Sequence, residues 1–261
     1  DPCWGVRAEV AGVLAERGGT QAREALLAAL TEPNHRARKA VVTALSRFRE
    51  EDVRQALRTL AIDGDPSLHV EGEAVRSLGR LRGPEVVPVC VEMLKRDSWG
   101  ELIRARALQA LGTSRDPAAL ELLLAWTADR HPVRTRAAAA AALGRLADDL
   151  EGCRVEAVDR LVELVRDAPF RVRMAAVSAL GSARDSRGCV ALRHVHQADG
   201  DGRMKRLAYE SLQRIAAGRT SEGALGSLRR DMEALQDENR KLRDRIDRVE
   251  TRAEVERETA S

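Results

Sequence analysis

The chain has 261 residues, of which 44% are hydrophobic and only 2% are aromatic. Ala, Leu and Val must therefore supply the buried surface, which favours closely packed helices and an all-α fold. With 44 basic and 41 acidic residues the net charge is +3, a balance that argues against the strong electrostatic field of nucleic-acid or anionic-membrane binders.

Four cysteines, Cys3, Cys90, Cys153 and Cys189, lie far apart in the sequence. No two of them have the spacing that clamps a metal ion or forms a redox pair, so we expect reduced packing residues. No apolar run reaches the length of a membrane-spanning helix, and no signal peptide is visible. The sequence therefore predicts a cytoplasmic protein with no membrane partner. Because the chain opens at Asp1 without a Met, we expect its natural N-terminus to lie further upstream.

One pattern recurs seven times along residues 1–218: an acidic residue, then an anchor position that is usually Arg, then Leu seven residues after the anchor. The anchors are Arg7, Arg38, Glu71, Arg104, Arg136, Arg173 and Lys205. The matching leucines are Leu14, Leu45, Leu78, Leu111, Leu143, Leu180 and Leu212. Successive anchors are 31 to 37 residues apart, a period typical of stacked helical repeats.

The apolar residues between anchor and Leu have helical spacing, as in Val172, Ala176, Val177 and Leu180. Small residues such as Gly144 follow the Leu in most repeats, which predicts close approach of neighbouring helices. Second amphipathic stretches separate these segments, so each repeat is predicted to be a helical hairpin. The first helix, residues 5–17, matches the second helix of a hairpin. The first hairpin is therefore incomplete, and we expect preceding residues of a longer polypeptide to cap it.

The pattern Asp-Pro-x-x-x-Val-Arg-x-x-Ala-Val-x-x-Leu-Gly, nearly complete at residues 167–181, resembles the HEAT repeat. The resemblance covers residues 1–218 and implies a right-handed α-solenoid of about seven hairpins. It also implies a ladder in which the acidic residue of a turn bonds Arg of the adjacent repeat. The ladder acids are Asp1, Glu32, Asp65, Asp97, Asp129, Asp167 and Asp199, and the basic residues are Arg7, Arg38, Arg104, Arg136, Arg173 and Lys205. Glu71 interrupts this series at the third repeat.

A different period begins after a linker at residues 219–224. Heptad spacing over residues 225–258 predicts a coiled coil with the seam Leu225, Leu228, Met232, Leu235, Asn239, Leu242, Ile246 and Val249. An amide at the a position, Asn239, pairs with its twin across a two-fold axis and favours a parallel homodimer. The alternative is a seam that packs against the solenoid of its own chain.

Residues that carry catalysis have no recognisable pattern here. The His-Glu-x-x-His motif of zinc hydrolases is absent from the sequence, and the closest histidines, His194 and His196, point to different sides of a helix. We therefore predict no catalytic residue, metal or cofactor in this chain. His69 is not adjacent to a Glu, which argues against the HEAT-type deoxyhypusine hydroxylases. Arg47, Arg80, Arg145 and Arg214 lie nine residues after anchors, but few aromatic residues accompany them, which argues against nucleic-acid binding.

The segments Asp1-Pro-Cys-Trp-Gly-Val-Arg-Ala-Glu9 and Asp97-Ser-Trp-Gly-Glu-Leu-Ile-Arg-Ala105, with the heptad tail, resemble the C-terminal region of bacterial aminopeptidase N family zinc peptidases. This resemblance implies a non-catalytic module that shapes access to the active site of an upstream catalytic domain in the same polypeptide. The alternative is a free-standing HEAT adaptor, or a chromophore-lyase-like HEAT protein, that binds a protein or peptide.

Overall fold

All regular structure is helical in residues 3–167 and 169–218, the part of the chain that the computed structural model describes. The helices alternate between two layers. The inner layer contains α1 (Trp4–Arg17), α3 (His35–Leu45), α5 (Leu68–Leu81), α7 (Leu102–Leu111), α9 (Val133–Asp149), α11 (Phe170–Ala183) and α13, residues 202–218. The outer layer contains α2 (Thr20–Ala28), α4 (Glu51–Asp63), α6 (Val86–Lys95), α8 (Ala119–Ala125), α10 (Glu151–Asp167) and α12 (Cys189–Ala198).

Each outer helix and the inner helix that follows it make one hairpin, so the array is an all-α HEAT-type solenoid. Helix α1 belongs to the inner layer and follows no outer helix in the described residues, in agreement with the predicted incomplete first hairpin. The repeated leucines make the core between the layers. Five of them, Leu45, Leu78, Leu111, Leu143 and Leu180, are at most 1% exposed, as one apolar stripe per helix requires.

Successive inner helices pack directly on one another, and glycine makes this possible. A Cβ on Gly79 would lie 2.6 Å from the Cα of Ala110, and one on Gly144 would lie 2.6 Å from the carbonyl oxygen of Ala179. The equivalent contacts join Gly112 to Ala142 and Gly181 to Ser211. Successive outer helices touch only sparsely. Because the inner helices are more closely spaced, the array curves with the inner layer on its concave side.

Polar residues in the turns fix where the inner helices begin. The Asn34 side chain accepts hydrogen bonds from the backbone N–H groups of Arg36 and Ala37 at 2.9 and 3.4 Å, which caps the start of α3. Gly64, at φ +88°, ends α4 in a conformation that side chains rarely adopt. Its turn places Asp65 where the carboxylate accepts the N–H of Ser67 at 2.7 Å.

Candidate protein-binding surface

The anchor arginines lie between the layers, and some of them join one repeat to the next. Three guanidinium groups contact the carboxylate in the following turn: Arg7 with Glu32 at 2.8 Å, Arg38 with Asp65 at 2.7 Å, and Arg173 with Asp199. The three carboxylates are sheltered, with side-chain exposures of 13%, 5% and 10%. Sheltered pairs escape much of the screening that weakens surface ion pairs.

Arg104 and Arg136 instead pair with the aspartate of their own repeat. Arg104 contacts Asp97 at 2.6 Å, and Arg136 contacts Asp129. Both aspartate side chains are about nine-tenths exposed, at 91% and 90%. Water and salt screen such pairs, so they contribute little to joining the repeats.

Glu71 occupies the anchor position of the third repeat and meets a basic residue in the following turn. Its Oε1 accepts a hydrogen bond from Arg96 at 2.7 Å. The two residues are 25 positions apart, the same separation as Arg7 and Glu32. The charges of the pair are therefore reversed at this repeat while its position is kept.

A second role of the anchors was not anticipated from the sequence. Arg104, Arg136 and Arg173 donate through Nε to backbone carbonyls near the ends of the preceding outer helices, those of Leu94, Thr127 and Val165, at 2.9, 3.0 and 3.2 Å. Each guanidinium thereby satisfies a carbonyl that the helix leaves without a partner, and its positive charge suits the negative end of the helix dipole.

The remaining predicted site residues are not described in this way. The carbonyl oxygen of Lys205 lies 3.1 Å from Nδ1 of His196. Asp1, the side chain of Asp167 and the predicted dimerisation residues, Leu225, Leu228, Met232, Leu235, Asn239, Leu242, Ile246 and Val249, lie outside the described residues. The linker at 219–224 lies there as well.

A groove of about 300 Å³ runs along the concave side over α7, α9 and α11. Its floor is made of small side chains, among them Ala105, Ala137, Ala138 and Ala141. Arg106, Arg134 and Arg171 project from the three helices and form its walls. An apolar floor beside a few polar groups is the usual composition of a binding groove.

The orientation of Arg106 depends on Gly72 in the neighbouring helix α5. A Cβ at Gly72 would lie 2.9 Å from Cγ of Arg106, so the arginine stem occupies the space that a side chain would fill. Arg76 on α5 and Arg145 on α9 interact electrostatically although α7 lies between their helices. Both side chains therefore extend over α7 into the concavity.

The sequence analysis noted Arg80 and Arg145 but missed Arg134 and Arg171 as groove residues. A signal for the latter two exists, because each lies two positions before an anchor, at the start of an inner helix. That offset turns the side chain about half a turn away from the anchor, toward the concave side.

Two further searches of the described residues gave no site. They contain no group of three or more His, Cys, Asp or Glu side chains arranged to hold a metal ion. None of the helices described here is both long and apolar enough to cross a bilayer.

Solved structures similar to this chain share its fold. The complex of CpcE and CpcF of phycocyanin lyase from Nostoc sp. is 22% identical and has a TM-score of 0.51, with 75% of this chain and 77% of that chain covered. An engineered protein is 20% identical, with a TM-score of 0.45 and coverage of 75% and 97%. Human deoxyhypusine hydroxylase is also 20% identical, with a TM-score of 0.41 and coverage of 83% and 81%.

No curated protein matches the sequence. The model of HEAT repeats matches three overlapping segments, residues 1–69, 61–144 and 129–213. Together they span every hairpin of the described solenoid up to α13. The chain is therefore a member of the HEAT-repeat family.

Proposed function

We propose that this chain is a non-catalytic scaffold that binds a partner protein in the concave groove over α7, α9 and α11. The observation that supports this most directly is the groove itself, an apolar alanine floor between arginine side chains on the surface that a solenoid presents to its ligands. The proposal agrees with the fold neighbour from Nostoc, which is a complex of two proteins.

The anchor pairs have a structural role in this proposal. We infer that pairs such as Arg38 with Asp65 hold successive hairpins in register and so fix the curvature of the concave side. None of the anchors lines the groove, because they lie between the layers.

The experiment compares two Trp variants that differ only in which layer they alter. Ala138→Trp places a large ring on the groove floor, whereas Ala118→Trp places it on the exposed start of α8 in the outer layer. Proteins captured from cells of the source organism by each variant are compared with those captured by the unaltered chain. A protein lost only with Ala138→Trp is then purified and its Kd measured for all three chains. If every captured protein is retained equally by the two variants, the groove is not the binding surface.

A second candidate is the C-terminal module of a zinc aminopeptidase. One observation favours it: Trp99, in one of the two segments that carry the resemblance, is 83% exposed. An exposed Trp is a typical anchor for contact with another domain. None of the structures named above is a peptidase. Reading the upstream part of the gene for His-Glu-x-x-His tests this candidate, and a gene without the motif there would exclude it.

A further inference from the structure

Six arginines converge on the concave side of the central repeats. They are Arg76 and Arg80 on α5, Arg106 on α7, Arg134 and Arg145 on α9, and Arg171 on α11. Arg106 interacts electrostatically with three of the others, and it shares the walls of the groove with Arg171. The six form one basic cluster, called here the inner arginine cluster.

The charge of this cluster is not balanced by nearby carboxylates. Glu73, which is fully buried, accepts hydrogen bonds from Nε of Arg76 at 3.1 Å and lies 3.9 Å from Arg80. Arg106 donates to the neutral side chain of Gln109 at 2.9 Å. Within residues 3–167 and 169–218, no carboxylate forms an ion pair with Arg134, Arg145 or Arg171.

Elsewhere in the solenoid, arginines of the inner helices have acidic partners. Arg38, Arg104 and Arg173 each contact a carboxylate, as described above. The inner arginine cluster differs from them, since six guanidinium groups share one carboxylate among the described residues. A solvated surface made only for solubility would intersperse the two signs of charge.

The surroundings of the cluster penalise its positive charge. Partial removal from water is the main cause that lowers the pKa of Arg80, Arg106 and Arg145, and the nearby positive charge of Arg76 lowers it further. An anion bound among these groups would replace lost hydration and offset the repulsion between them. The cluster is therefore prepared for a negatively charged ligand.

The groove beside the cluster decides between two kinds of anion. Its alanine floor offers apolar contact but no aromatic ring, and the exposed aromatic residues Trp99, Phe170 and Tyr209 do not line it. Single-stranded nucleic acid uses aromatic rings to stack its bases. A protein segment that carries both carboxylates and small apolar side chains fits both parts of the surface.

We propose that the inner arginine cluster and its alanine-floored groove bind an acidic segment of a partner protein, an inference that rests on the proposed function. Carboxylates of the segment pair with Arg106, Arg134, Arg145 and Arg171. Apolar side chains of the same segment pack on Ala137, Ala138 and Ala141.

The test uses a fluorescein-labelled peptide of alternating Glu and Ala, a matched peptide with Gln in place of Glu, and a labelled strand of oligothymidine. Binding to the full chain is measured by fluorescence anisotropy at low salt and at about 0.15 M salt. Two double variants lose the same charge: Arg106→Gln with Arg145→Gln in the cluster, and Arg58→Gln with Arg193→Gln on exposed outer helices. Circular dichroism shows whether each variant stays folded.

The Glu peptide is expected to bind, and the cluster variant is expected to weaken that binding about tenfold or more. The outer variant and the Gln peptide provide the contrast: the first should bind as the unaltered chain does, and the second should not bind. Equal weakening by both double variants would mean that any positive surface attracts the peptide, and the proposal would be wrong. Oligothymidine that binds more tightly than the Glu peptide would also overturn it.

The two proposals fail in distinguishable ways. If Ala138→Trp removes a captured partner but the double arginine variant retains it, the groove binds protein and the acidic segment is refuted. If Ala138→Trp removes no partner, the proposed function itself fails, whatever the peptide does.

Discussion

Adding one methyl group at Gly144 tests how closely the inner helices pack. The Cβ of an alanine there would lie 2.6 Å from the carbonyl oxygen of Ala179 and 2.7 Å from its Cα. Ordinary van der Waals contact starts at 3.4 Å, so α9 and α11 would have to separate by about 0.8 Å. Two of the three nearest atoms belong to the backbone of α11, so no change of rotamer can relieve the contact.

Two opposing effects set the size of the change in stability. Overpacking of a close contact costs about 1–3 kcal/mol. Replacing Gly by Ala within a helix contributes about 0.5–1 kcal/mol in the opposite direction, because Gly loses more conformational freedom on folding. The free energy of unfolding of Gly144→Ala should therefore fall by as much as about 2 kcal/mol.

Gly152→Ala is the matched control, because a Cβ at Gly152 would meet nothing within 4 Å. It lies in α10, which packs on α9 and α11, so both variants report on the same part of the array. Urea unfolding followed by circular dichroism gives the midpoint for each. The Gly152 variant should unfold at the same or a higher urea concentration than the unaltered chain, and the Gly144 variant at a lower one. Equal midpoints for the two variants would refute the close packing of α9 and α11.

Three further predictions concern charge and assembly. Arg96→Met leaves the buried carboxylate of Glu71 without this partner and should cost about 1–3 kcal/mol in urea unfolding; an unchanged midpoint would contradict the need for a partner. Burial raises the pKa of Asp65, but hydrogen bonds from Arg38 and a backbone N–H outweigh it and leave the pKa below 3.8. Its stabilising contribution is present above about pH 4 and is lost as the pH falls through the lowered folded value, so acid unfolding of Asp65→Asn should be less steep. For the heptad tail, Asn239→Ile should shift the predicted parallel dimer toward trimers in sedimentation, and a monomeric unaltered chain would contradict the dimer.

Helix positions and the core were predictable from the sequence because both depend on local spacing. An apolar stripe at the helical period has to face a neighbour, and the leucine seven residues after each anchor does so at Leu45, Leu111 and Leu143. The small residues after these leucines likewise indicated close approach, and Gly144 shows it.

The partners of the anchors could not be predicted from spacing, because the turn decides between two acidic residues at similar reach. In the fourth repeat, Gly100 and Glu101 adopt positive φ, and Arg104 reaches Glu101 as well as Asp97. The spacing alone suits a contact across to the next repeat equally well. The reversed pair of Glu71 with Arg96 was unpredictable for the same reason, since it requires knowing that the next turn brings residue 96 into place.

The groove depends on the curvature of the array, which no single repeat encodes. Arg76 and Arg145 belong to helices that are not neighbours, and they interact only because the inner layer is concave. The contacts at Gly112 and Gly144 set that curvature by bringing successive inner helices together. A side chain at these glycines would spread the inner layer, flatten the array and move the arginines apart. The close packing of small residues and the density of positive charge on the concave side are therefore two results of the same sequence feature. It follows that Gly144→Ala should weaken binding of the Glu peptide even though residue 144 does not line the groove.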